Sequence, residues 1–99
     1  MKIAFVIYHD ILEDRISLVQ DRLGIDFYTK WDNVTGKGHS TDAHLGTRTF
    51  PGFNSVKMVA FTDDDQLEEF LEQINKLNGE IMRTDDKVRV FQLPLERIL

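Results

Sequence analysis

The stretch SVKMVAFTDDDQLEEFLEQINKLNG, Ser55 to Gly79, changes its hydrophobic period midway, and that change decides the fold. Ser55 to Phe61 is a short apolar run rich in strand formers. Thr62 or Asp63 then offers a helix cap, and the acids that follow complement the dipole of a first turn. Leu67, Phe70, Leu71, Ile74 and Leu77 form one helical stripe, with Gly79 as the stop. A strand that feeds directly into a one-faced helix calls for a sheet with a helical layer on it.

Reading outward adds the other elements. Downstream, KVRVFQL (Lys87 to Leu93) reads as a strand ended by Pro94. Upstream, KIAFVIY (Lys2 to Tyr8) is a continuous apolar run, expected of a central buried strand. Asp10 can cap a helix whose stripe is Leu12, Ile16, Val19 and Leu23, with Gly24 at its end. IDFYTKW places Ile25, Phe27 and Trp31 on one face of a further strand. The order is βαββαβ, an α+β, ferredoxin-like arrangement: four antiparallel strands with two helices on one face, in one domain over residues 1–99. Trp31 and Phe27 cannot all point into one helical layer, so self-association is the expected cover for the opposite face.

Between Val34 and Ser55 lies a connection of about twenty residues, where hairpins commonly use two to five. It carries glycines at 36, 38 and 46, and two phenylalanines, Phe50 and Phe53, that need a partner to leave water. A long loop with such punctuation is expected to work. Gly36-Lys37-Gly38 can aim successive backbone N–H groups at an anion. His39, Asp42 and His44 together form a plausible ligand set for Zn²⁺ or another divalent ion. His9, beside Asp10, reads as a packed or capping neighbour, and the acids Asp63 to Asp65 as cap and dipole complement.

The chain has net charge −5, which argues against a partner gripped through a phosphate backbone. From Phe27 to Lys57, four cations meet two carboxylates, so this segment holds +2 and the remainder −7. A basic, glycine-containing segment in an acidic chain suggests a small anion. No cysteine is present, which removes thiol catalysis and thiolate metal sites. The apolar run at the N-terminus is too short for a signal peptide, no segment is long enough for a membrane span, and a cytoplasmic protein is expected. No phosphate-binding P-loop, nucleophile elbow or zinc-protease motif occurs, and no serine has an evident base, so an enzyme is not expected.

These features together resemble the PII signalling superfamily. The likeness runs through nearly the whole chain: the βαββαβ order, Gly36-Lys37-Gly38 where the second strand turns outward, the long loop, and Pro94-Leu95-Glu96 after the last strand. The segment TDDKVRVFQLPLE puts Lys87 or Arg89, by register Arg89, where the family places a phosphate-binding lysine. The resemblance implies a homotrimer with nucleotide sites in the clefts between subunits. It also implies that residues 36–54 are the family's T-loop, which grips a membrane transporter or metabolic enzyme. There are departures: only Arg97 stands where the family has a basic ATP-clamping tail, the loop has no tyrosine, and His39-Ser40 replace the family's glutamine. The chain therefore looks more like the short PII-like branch, whose members bind other nucleotides, bicarbonate or metals. The resemblance implies an adenine nucleotide or another anion held by Gly36, Lys37, Gly38, Lys87 and Arg89, with a divalent metal as the alternative effector.

Overall fold

The computed structural model describes residues 1–38, 43–47 and 52–99. Strand β1 (Lys2–His9) leads through a 3-10 turn, Asp10–Leu12, into helix α1 (Glu13–Arg22). Strands β2 (Thr29–Val34) and β3 (Asn54–Phe61) follow, then helix α2 (Asp64–Glu80). A second 3-10 turn, Thr84–Asp86, precedes strand β4 (Arg89–Pro94). The sheet has four strands in the order β2-β3-β1-β4, all pairs antiparallel. This is the βαββαβ ferredoxin-like arrangement expected from the sequence. Among the described residues, no helix is long and apolar enough to cross a membrane.

Alternation along β1 and β3 sorts the two sheet faces. Ala4, Val6, Tyr8, Val59 and Phe61 point to the helices and are buried with Ile16, Leu67, Phe70, Ile74 and Leu77. The Phe61 and Phe70 rings meet at 5.8 Å. The α2 stripe expected from the sequence is therefore core. Asp63 caps this helix, its carboxylate accepting from the Asp65 and Gln66 N–H groups. The opposite face has no helix over it: in register across it lie Trp31 and Val56, Ile7 and Val56, Phe5 and Phe91, and Ile3 and Leu93. Trp31 is 46% exposed and Phe91 52%, a large apolar surface without cover among the described residues.

Several local expectations need correction. Residues 25–28 are not strand. Ile25 drops into the core from the α1–β2 connection, whereas Phe27 and Trp31 are exposed. Asp10 does not cap α1; the His9 side chain caps the first 3-10 turn, and α1 starts only at Glu13. Helix α2 runs through Gly79 to Glu80, and β4 begins at Arg89, not Lys87. β2 also contains a bulge: the pairing shifts by one residue between Trp31 and Val34, and Asn33 takes φ 56°.

Among the described residues, the helix face of the sheet holds one buried cation. Lys57 is 1% exposed, and its Nζ donates to Gln20 Oε1 at 2.5 Å and Ser17 Oγ at 3.3 Å. It also lies 3.5 Å from Glu13 and 4.7 Å from the Tyr28 ring centre. Glu13 additionally receives the Tyr8 hydroxyl and Lys30, the latter at 2.9 Å. Burial pushes the Lys57 ammonium below its ordinary range, although Glu13 opposes the shift. Burial alone would raise Glu13, but Tyr8, Lys30 and Lys57 outweigh it and hold the carboxyl below its ordinary value of 4.5.

Removing Lys57 while leaving its partners behind is expensive. Lys57→Ala should destabilise the chain by about 3–5 kcal/mol in urea unfolding, and Lys57→Met by clearly less. The depressed Glu13 carboxyl contributes stability that is fully present above the unfolded-state value and is lost as pH falls through its folded value. Unfolding followed from pH 6 down to pH 3 should therefore show a steeper loss in the wild type than in Glu13→Gln.

Candidate functional site

The long connection is organised at its base by two backbone clasps. Gly36 and His44 form an antiparallel bridge: Gly36 N–H donates to His44 O at 3.0 Å, and His44 N–H to Gly36 O at 2.8 Å. Farther along, Gly46 N–H donates to Gly52 O at 2.8 Å. Gly46 sits at φ +68°, and a Cβ there would lie 2.0 Å from the Phe53 ring. Only glycine allows that ring to close on the backbone. Phe53, one of the two loop phenylalanines, thus has its partner within the loop; Phe50 lies outside the described residues. The returning strand is pinned to the end of β1, where Asp10 N–H donates to Phe53 O at 3.0 Å and the Asp10 carboxylate accepts from Phe53 N–H at 3.4 Å.

The turn before β4 supplies the other wall. The Asn78 side chain at the end of α2 accepts from Val88 N–H at 2.7 Å and donates to Val88 O at 2.9 Å. Val88 is buried, while its neighbours Lys87 and Arg89 stay exposed. Arg89 stands opposite Ile7 of β1, on the uncovered sheet face. Arg83 pairs with Asp85 at 3.3 Å within the same turn.

Between these walls is a cavity of about 370 Å³. Gly36, Lys37, Gly38, Lys87 and Arg89, the anion-binding set read from the sequence, all line it. So do His9, His44, Asn54, Thr84 and Asp85. Three fixed cations face one carboxylate, in a chain of net charge −5. A cavity with that charge balance attracts a small anion such as a phosphate or carboxylate.

The expected metal ligands divide. His39 and Asp42 lie outside the described residues. His44 is buried, with its Nε2 3.3 Å from the Asp85 carbonyl oxygen and 3.7 Å from Asp86 Oδ1. Its ring meets His9 edge-on, with centres 4.3 Å apart and planes at 87°. His9 lines the cavity and Asp86 lies beside His44, although the sequence reading assigned them no such place. His9 is distant from His44 along the chain. Only the β1–β3 register, which sets His9 opposite Asn54, brings it to the loop base.

No protein-family model matches the chain, and no curated protein sequence matches it. Similarity appears among solved structures. One is CPII, a nitrogen regulatory PII-like protein from Thiomonas intermedia K12, bound to ADP, AMP and bicarbonate. It superposes with TM-score 0.65 at 17% identity, covering 99% of this chain and 94% of that one. The same protein bound to ADP and bicarbonate gives TM-score 0.70 at 20% identity, covering 97% and 88%. A third structure, bound to ADP, AMP and acetate, gives TM-score 0.66 at 17% identity. At such identities the likeness is one of architecture, and in architecture the chain has the PII-like fold.

Proposed function

We propose that this chain is a PII-like regulatory protein that binds a small anionic effector and signals through its long loop. One observation carries the reading: Gly36, Lys37 and Gly38 from the loop base, and Lys87 and Arg89 from the turn before β4, meet at one cavity. The cations supply point and forked charge, while the Gly36 N–H is already engaged by His44 O, so the loop base brings its chain to the cavity wall. The effector class is an adenine nucleotide or bicarbonate, by analogy with the ADP, AMP and bicarbonate held by the Thiomonas protein. An effector that touches Gly36–Gly38 favours whichever loop arrangement presents those groups, and differential affinity for that arrangement is the switch.

In this reading the protein is cytoplasmic and works as a homotrimer. The uncovered face bearing Trp31, Phe5, Phe91 and Leu93 is its assembly surface, and residues 36–54 engage a transporter or metabolic enzyme. Arg89 and Phe91 share that face, so effector and assembly meet there. A divalent-cation response is the second reading, favoured by the seat of His44 in the same cavity wall.

Calorimetric titration with ADP, AMP, ATP, cyclic nucleotides and bicarbonate tests the effector. At least one should bind, and Arg89→Ala should cost about 1.5–3 kcal/mol, roughly a 10- to 100-fold loss. Absence of heat with every one of them would end the anion reading. Native mass spectrometry tests the assembly: the wild type should run as a trimer, and Phe91→Asp as a monomer.

A further inference from the structure

We propose that His9, His44 and Asp86 form a divalent-cation site of the Zn²⁺ type at the base of the loop, independent of any bound anion. One ligand atom from each residue lies within 4.8 Å of the other two. Two imidazoles and a carboxylate suit a borderline ion such as Zn²⁺. At metal–ligand lengths of about 2.0–2.2 Å, neighbouring ligand atoms sit about 3.3 Å apart. The three groups therefore need to close by about an ångström and a half at most, within reach of modest side-chain rotation.

Two further features prepare the site. Asp10 Oδ1 lies 3.0 Å from His9 Nδ1. The same nitrogen is 3.1 Å from the Ile11 N–H, and one tautomer cannot serve both contacts. A metal on Nε2 selects the tautomer whose Nδ1–H donates to Asp10, the carboxylate–histidine–metal relay that orients and strengthens a ligand. The space over Nε2 is kept open by Gly52, at φ +80°, where a Cβ would stand 2.5 Å from that nitrogen. Any other residue would cover the atom that the metal needs.

The three ligands come from three segments: the end of β1, the returning half of the loop base, and the turn before β4. An ion there ties the loop to the body of the domain. Three protein ligands would leave a coordination position open, and two of them, His9 and His44, line the cavity.

Titration of the metal-free full chain with Zn²⁺ alone, without nucleotide or bicarbonate, tests the inference. One Zn²⁺ per chain is expected. His44→Ala, His9→Asn and Asp86→Asn should each weaken it by more than the roughly 10–100-fold that loss of a mere outer-shell partner costs. His39→Ala and Asp42→Asn should leave it unchanged. Asparagine at 9 retains a side-chain acceptor for the 3-10 turn, which protects the fold. A measurement on the wild type needs no variant: in a ¹⁵N imidazole spectrum, Zn²⁺ should shift His9 and His44, fix His9 with Nδ1 protonated, and leave His39 in place. No Zn²⁺ binding by the wild type, binding that survives His9→Asn, or shifts at His39 in place of His9 would each overturn the proposal. None of these outcomes bears on whether an anion binds Arg89.

Discussion

The pair of backbone hydrogen bonds between Gly36 and His44 is the constraint on which the site depends. Without them the outgoing half of the long connection would lose its tie to the returning half, which Gly46–Gly52 and Asp10–Phe53 hold farther along. With them, Gly36–Gly38 stand at a cavity wall and His44 turns inward beside His9 and Asp86. Closing a loop costs entropy that grows only slowly with its length. A two-bond bridge near its root, a second clasp at Gly46 and Gly52, and the Asp10–Phe53 contacts offset part of that cost. The outcome is a loop root held to the domain by main-chain hydrogen bonds.

The architecture beneath that root is a sheet with two unlike faces. One buries a dense apolar core whose polar guest, Lys57, is met by Gln20, Ser17 and Glu13 from α1. Such a network ties the helix to the sheet in one register, since sliding α1 would strand a buried ammonium. The other face is largely apolar and has no layer over it among the described residues. The cavity lies where that face reaches the loop root, so Ile7, Val56 and Phe91 contribute apolar floor beneath a cationic rim. Floor and rim together suit a ligand with both a flat apolar part and a negative group.

Much of this was legible in the residues. The period change after Phe61 announced a strand followed by a helix, and the Leu67–Leu77 stripe named the face that is buried. Gly36-Lys37-Gly38, Lys87 and Arg89 could be paired because a known arrangement of strands brings those segments together. The β2 boundary is hidden in the sequence for a physical reason: Ile25 is apolar because it plugs the core from a connection, and that imitates strand alternation. His9 and Asp86 were missed because spacing along the chain says nothing about groups joined by strand register. His9 also had a sufficient explanation as a cap. The loop itself shows no periodicity, so its clasps, made by main-chain atoms, left only glycines as a trace.

Asn78 belongs to helix α2 and yet acts on the segment that leads into β4. Its amide takes both main-chain groups of Val88, the residue between Lys87 and Arg89. The closing turn of α2 and the two cations are thereby geared together, so that a tilt of that helix end would translate into a displacement of charge at the cavity mouth.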